Sequence, residues 1–452
     1  MKSRLLLMLL CLALAAPARA QHQPPPEITA EYIEAMKTGI QALRSLQYAE
    51  PVAVRFVSQK EIADLAADIM RREGMDEKYL NAAGRVLHAF GFLDDAAGLK
   101  SALDAVLAQQ VEGLYDTDAN ALFVVRENVL PEDAQQFLSM MNGTNPKDFV
   151  LSHELAHALQ AQHFDLTLLS PLRVKSEDMA LAYKCVVEGD AMAVMLNYTM
   201  RALDMNSLEI PGMGERMQTI MNTPGATGPG AFPDVPEIIK AQFIFPYAAG
   251  LDLLGLLYRG GGWDAVNRAF TDPPLSTEQI LHPEKYLEDR DNPVDLDLRG
   301  MAAFAPDNAK LLNSNVLGEF QTRLLLQLTG PPGDEPDWTA PAAGWDGDRY
   351  AAYAAPGAHT ILFWAAAWDN AAEAREFFEA YSKTLKHRFG APAEQAPDAA
   401  RAAWKAPCGR AILAVSADRT ALVQCADPAA EESALNALLS APATPVSSIV
   451  EK

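Results

Sequence analysis

The residues best equipped for chemistry lie in Val150-Leu-Ser-His153-Glu154-Leu-Ala-His157-Ala-Leu-Gln160. The segment is rich in helix formers, and histidines four apart on a helix project about 40° apart around its axis. Two neutral imidazoles placed this way can share one Zn2+. Glu154 lies beside them and can accept a proton from a metal-activated water as that water attacks a carbonyl. The apolar neighbours Phe149, Val150, Leu151, Leu155 and Ala156 predict a buried helix, where polar groups without partners are costly. The pattern therefore predicts a zinc site with Glu154 as general base, rather than a solvated His/Glu face.

A catalytic zinc takes a third protein ligand and keeps one position open. Two residues compete for that role. His163 follows His157 by six positions, a spacing that needs a sharp turn after the second histidine. The residue at the turn is Gln160 rather than glycine, and on a continuing helix His163 points about 240° away from His157. Glu188 sits in Val186-Val-Glu188-Gly-Asp190-Ala191, on the next long helical run, Ser176 to Leu203. Its apolar neighbours favour ligation over solvation, so Glu188 is the preferred ligand. Asp190 is a candidate acceptor for a ligand histidine, although its offset of two from Glu188 turns it towards another side.

His153-Glu-Leu-Ala-His157 followed by Glu188-Gly-Asp-Ala191 resembles the gluzincin zinc metallopeptidases. More closely, it resembles a group of secreted prokaryotic proteins with an HELxHALQ…EGDA core. Gly261-Gly-Trp-Asp-Ala-Val-Asn267 and the stretch Ser276 to Tyr286 resemble the same group, so the likeness runs from about Val111 to Tyr286. The resemblance implies hydrolysis of a peptide or protein substrate, with His153, His157 and Glu188 holding zinc. With His163 as third ligand the site would instead be metzincin-like. Aminopeptidase-type gluzincins carry a tyrosine in a Tyr-x-x-Gly context, and Phe245-Pro-Tyr247-Ala-Ala-Gly250 is similar. That likeness implies that Tyr247 steadies the oxyanion, with His282 a second candidate. The non-enzymatic alternative is a zinc-stabilised binding or assembly protein on the same scaffold. The intact Glu154 counts against it, because a purely structural site has no use for a base.

The elements that must position these groups are mostly helical. Gly113–Tyr115 and Ala121–Val125 read as a hairpin across the Asx-rich Asp116–Asn120. It precedes the zinc helix, and an extended peptide is expected to add to the free edge of Ala121–Val125. The apolar run Ala241–Tyr258 is interrupted by Pro246 and Asp252 and reads as a buried helix rather than a membrane span. The expected fold is α+β: a mostly helical zincin-like domain over 21–330, with an N-terminal part at about 27–110 and a zinc core at about 111–290. A Pro-rich linker over 331–345 leads to a small α+β domain over 346–452. In that domain, strands flanking Ala417-Asp418-Arg419 place Cys408 and Cys425 at near-equal distances from the turn, as a cross-strand disulfide requires. Cys185 is left as a buried thiol.

At the amino terminus, Lys2 and Arg4 precede the apolar run Leu5–Ala16 and the small-x-small site Ala18-Arg-Ala20. Residues 1–20 read as a secretory signal peptide cleaved after Ala20, which places the mature chain in the periplasm or outside the cell, with no transmembrane segment remaining. Cleavage removes three positive charges and takes the formal net charge from −22 to −25. A field of that sign repels phosphate backbones, so nucleic acid and anionic membranes are excluded as partners. With 49% hydrophobic and 21% charged residues the chain is not disordered, and four cysteines are too few for a disulfide scaffold.

Overall fold

The computed structural model describes residues 6–10, 28–109, 111–126, 147–170, 173–222, 235–332, 338–355, 359–395 and 400–450. The expected signal cleavage site lies outside them, and of residues 6–10 the backbone alone is described. The fold is α+β. Four helices open the chain: α1 (Ala30–Arg44), α2 (Gln59–Arg72), α3 (Glu77–Phe90) and α4 (Gly98–Gln109). Local capping sets their starts. Thr29 accepts from the Tyr32 N–H, Ser58 and Glu61 form a reciprocal capping box, and Asp76 accepts from the Tyr79 N–H, each satisfying a backbone donor that the first helical turn leaves open.

The strands β1 (Leu6–Leu10), β2 (Ala53–Val57), β3 (Val111–Asp116) and β4 (Ala121–Val125) form one sheet in the order β1-β3-β4-β2. The expected hairpin is β3–β4, but β4 is an inner strand, paired in parallel with β2 on its far side. Ala121–Val125 therefore has no free edge, contrary to the sequence expectation, and β3 is likewise an inner strand of this sheet. Leu6–Leu10 pairs antiparallel along β3, with Leu7 opposite Tyr115.

Three longer helices form the middle of the chain: α5 (Asp148–His163), α6 (Glu177–Thr199) and α8 (Glu237–Thr271), with the shorter α7 (Met213–Asn222) between the last two; the short helices α9 (Glu278–Leu281) and α10 (Glu284–Leu287) and the strand β5 (Val294–Leu296) follow. Helix α8 contains a break at Gly261 and Gly262, the point at which the hydrophobic pattern divides into two runs. Its apolar stretch is mostly buried inside the protein. Helices α6 and α8 approach closely where two glycines meet. A Cβ on Gly189 would lie 2.4 Å from the Gly250 carbonyl carbon, and one on Gly250 would lie 2.0 Å from the Cys185 oxygen. Neither position has room for a side chain.

The C-terminal unit begins earlier than its predicted start at 346. The strands β6 (Lys310–Asn315), β7 (Trp345–Ala354), β8 (Thr360–Trp368), β9 (Glu394–Gln395), β10 (Arg401–Ala406), β11 (Gly409–Ser416) and β12 (Arg419–Gln424) form an antiparallel sheet in the order β6-β7-β8-β12-β11-β10-β9. Helix α11 (Gly318–Thr329) follows β6, and the predicted linker carries a short helix, α12 (Ala340–Ala343). Asp348 explains why this region is built in. Its buried carboxylate accepts from the Leu317 and Gly318 amides and from the Trp345 and Trp364 indoles, tying the start of α11 to the sheet. Helix α13 (Ala371–Phe389) packs Phe377 and Tyr381 against Trp364, and α14 (Glu431–Leu439) contributes Leu435 and Leu438 to a separate core. Cys408 and Cys425 are joined across the β11–β12 hairpin, with Cα atoms 5.4 Å apart. Cys185 is buried and free.

Candidate metal centre

Helix α5 delivers His153 and His157 one turn apart, and α6 delivers Glu188 opposite them. The two Nε2 atoms are 2.9 Å apart and lie 3.2 and 3.4 Å from the same Glu188 oxygen, Oε2. The imidazole planes cross at 83°, so both nitrogens aim into one small space. All three side chains are fully buried. One ligand atom from each falls within 4.8 Å of the others, a separation that could hold a metal ion.

Without a metal the two histidines are shifted in opposite directions: burial opposes charge on His157, but the hydrogen bond and charge of Glu188 outweigh it and raise its pKa. Burial pushes the His153 imidazole down to about 4, which keeps it neutral as a ligand must be. Burial opposes the charge on Glu188, but hydrogen bonds from both histidines outweigh it and hold the carboxyl well below its usual range.

Glu154 is on the same helix turn and is also fully buried. Neither of its oxygens has a well-formed hydrogen bond. Burial pushes its pKa up to about 8, and the nearby Tyr115 amide offsets this only in part. Buried polar atoms left without partners call for an ion, a water or a catalytic use to account for them. Strand β3 runs directly against this group. Gly113 leaves the space for it, since a Cβ there would come within 2.8 Å of Glu154 Cγ and 2.5 Å of Val150 Cγ1.

A chain of buried polar contacts stands behind His157. Its Nδ1–H donates to Gln160 Oε1 at 2.8 Å, which directs Nε2 towards Glu188. The Gln160 amide nitrogen donates to the Val187 carbonyl and to Asp190 Oδ2, both at 2.9 Å. Asp190 Oδ1 accepts from Arg44 Nε at 2.6 Å, and Arg44 lies over the Trp263 ring and donates to Asn267. Asp190 thus reaches His157 through Gln160, despite its offset of two from Glu188 on α6. Arg44 was hidden in the sequence, because α1 reads as an ordinary amphipathic helix 109 residues before His153. The Gln160 signal was present, in the HALQ string.

Residues 309–436 match a family described as a domain of unknown function, DUF8575. The match covers the C-terminal sheet from β6 into α14 and includes none of the metal-centre residues. No curated protein and no solved structure matches the chain.

The structure brings together His153, Glu154, His157, Glu188 and Tyr247, whose ring centroid is 6.0 Å from that of His153. The α6–α8 glycine contact sets that approach, because Tyr247 lies one turn before Gly250. Two other candidates lie elsewhere. His163 is exposed at the end of α5, with Nε2 2.7 Å from the Gln47 carbonyl. His282 pairs with Glu319 at 3.0 Å. A second acidic group, Glu278, Asp291 and Asp369, already has its cation: the Lys285 ammonium lies 2.6, 3.1 and 2.9 Å from the three carboxylates.

Proposed function

We propose that the chain is an exported zinc-dependent metallopeptidase of gluzincin type that cleaves peptide or protein substrates. The observation that carries the reading is the convergence of His153, His157 and Glu188 beside a buried Glu154 whose oxygens have no well-formed hydrogen bond. Two imidazoles and one carboxylate form a donor set used for catalytic zinc, which keeps a fourth position for water or substrate. When bound there, zinc supplies Lewis acidity, lowering the pKa of a water and polarising a carbonyl. Glu154 takes up the proton released in the attack and returns it to the leaving amine. Tyr247, whose ring centroid is 6.0 Å from that of His153, would donate its hydroxyl to the developing oxyanion. The edge of β3 next to Glu154 offers backbone groups to an extended peptide. In the precursor Leu6–Leu10 lies along that edge, and signal cleavage after Ala20 frees it.

The test uses mature protein beginning at Gln21. Metal analysis is expected to give one zinc per chain, and Glu154→Gln to keep that zinc while peptidase activity falls by about 10²–10⁴-fold. Full activity in the variant, or no zinc in the wild type, would overturn the reading.

A further inference from the structure

A cavity of about 310 Å³ lies one helical turn from the metal centre and takes no part in the mechanism above. That is the share of liquid occupied by about ten water molecules, at the lower end of the range for small-molecule sites. Its walls come from several elements, among them Leu87 of α3, Leu103 of α4, Leu181 of α6, Phe243 of α8 and Leu317 just before α11. Its lining is predominantly apolar, so water inside would find few of the partners it needs.

Two groups that carry charge at neutral pH line it, at different places along α6. Glu177 is already engaged, accepting from the Tyr79 hydroxyl at 2.6 Å. Lys184, about 10 Å further along the helix axis, is not matched in this way. Its ammonium lies 5.9 Å from the Phe243 ring, and no carboxylate among the described residues is within salt-bridge distance. Acidic residues outnumber basic ones 59 to 37 in this chain, so a lysine without an acidic partner facing an apolar cavity stands out. Gln242, beside Phe243 on α8, also lines the cavity and offers an amide.

We propose that this cavity binds an anionic amphiphile, a saturated chain of about ten carbons ending in a carboxylate. The hydrocarbon lies between α3, α4, α6 and α8, and the carboxylate pairs with the Lys184 ammonium. Such a ligand fills the apolar volume without stranding a polar group and brings a carboxylate into direct contact with the Lys184 ammonium, whose charge otherwise acts only at longer range on Glu188. The proposal concerns a site separate from the metal centre and stands whether or not the chain is a peptidase.

The experiment titrates mature protein, with and without zinc, with decanoate below its micellar concentration and with decanol as the uncharged counterpart. Decanoate is expected to bind at one site per chain and at least tenfold more tightly than decanol. Lys184→Gln is expected to remove that preference while leaving decanol affinity unchanged. Ala83→Phe and Ala180→Phe, which fill the cavity from α3 and α6, are expected to weaken both ligands at least tenfold in variants whose circular dichroism and Tm show an intact fold. The proposal is overturned if neither ligand saturates, if the wild type binds both equally, if Lys184→Gln retains the preference, or if a folded filling variant binds normally.

Discussion

Gln160 Oε1 accepts a hydrogen bond from His157 Nδ1 at 2.8 Å, and Gln160 is itself held by Asp190. The pair fixes which imidazole nitrogen carries the proton, and so which nitrogen faces Glu188. Supporting groups of this kind typically account for 10–100-fold in metal affinity. Gln160→Ala is therefore expected to weaken zinc binding by about that factor in a chelator competition. Asp190→Asn acts one bond further out and should weaken zinc less than Gln160→Ala does. Equal zinc affinity in Gln160→Ala and wild type would show that this hydrogen bond does not position His157.

The third ligand is tested by a paired substitution. Glu188 Oε2 touches both histidines, whereas His163 is exposed and engaged with the Gln47 carbonyl. Glu188→Ala is expected to abolish stoichiometric zinc and His163→Ala to retain it, as measured by metal analysis after dialysis. The opposite result would move the site to the metzincin-like arrangement.

The histidine pair, Glu154 and Glu188 were legible in the sequence because ligand spacing on a helix is local, and because an acid among valines reports burial. The break in α8 was legible for the same reason, since Gly261 and Gly262 interrupt a periodic pattern. What escaped was tertiary. Arg44 meets Asp190 across 146 residues, and nothing in either neighbourhood announces the other. The early start of the C-terminal sheet escaped too. Lys310–Asn315 is a partly exposed edge strand without a clear alternation of apolar and polar residues, and Asp348 fastens the segment after it from 30 residues away. The free edge was misassigned to β4 because β2, 64 residues before β4, pairs with it in parallel, and a parallel partner leaves no hairpin signal.

The glycine contact between α6 and α8 predicts a different kind of defect. A methyl group at position 250 would overlap the Cys185 carbonyl, and overpacking of this sort typically costs about 1–3 kcal/mol. Gly250→Ala is expected to lower stability to that extent in urea unfolding and to disturb Tyr247, one turn away. Zinc content should survive better than activity, because His153, His157 and Glu188 lie on α5 and α6. A variant with wild-type stability and turnover would mean that the two helices can separate without consequence.

Asp178 gives the fold a pH dependence whose sign can be worked out. Its buried carboxyl accepts from the Thr277 hydroxyl and amide, but burial dominates and pushes its pKa up to about 8 from an ordinary value of 3.8. The folded state therefore holds this proton more tightly than the unfolded chain does. The resulting stability is fully present below about pH 4 and is lost as pH rises through about 8, by at most about 1.4 kcal/mol per pH unit. Asp178→Asn keeps an acceptor for the Thr277 amide and does not titrate. The stability of the variant relative to wild type is thus expected to rise between pH 5 and 8 and level off above, as followed by urea unfolding at each pH. A difference that stays constant across that window would show that Asp178 is ionised in the folded protein and that the Thr277 hydrogen bonds outweigh the burial.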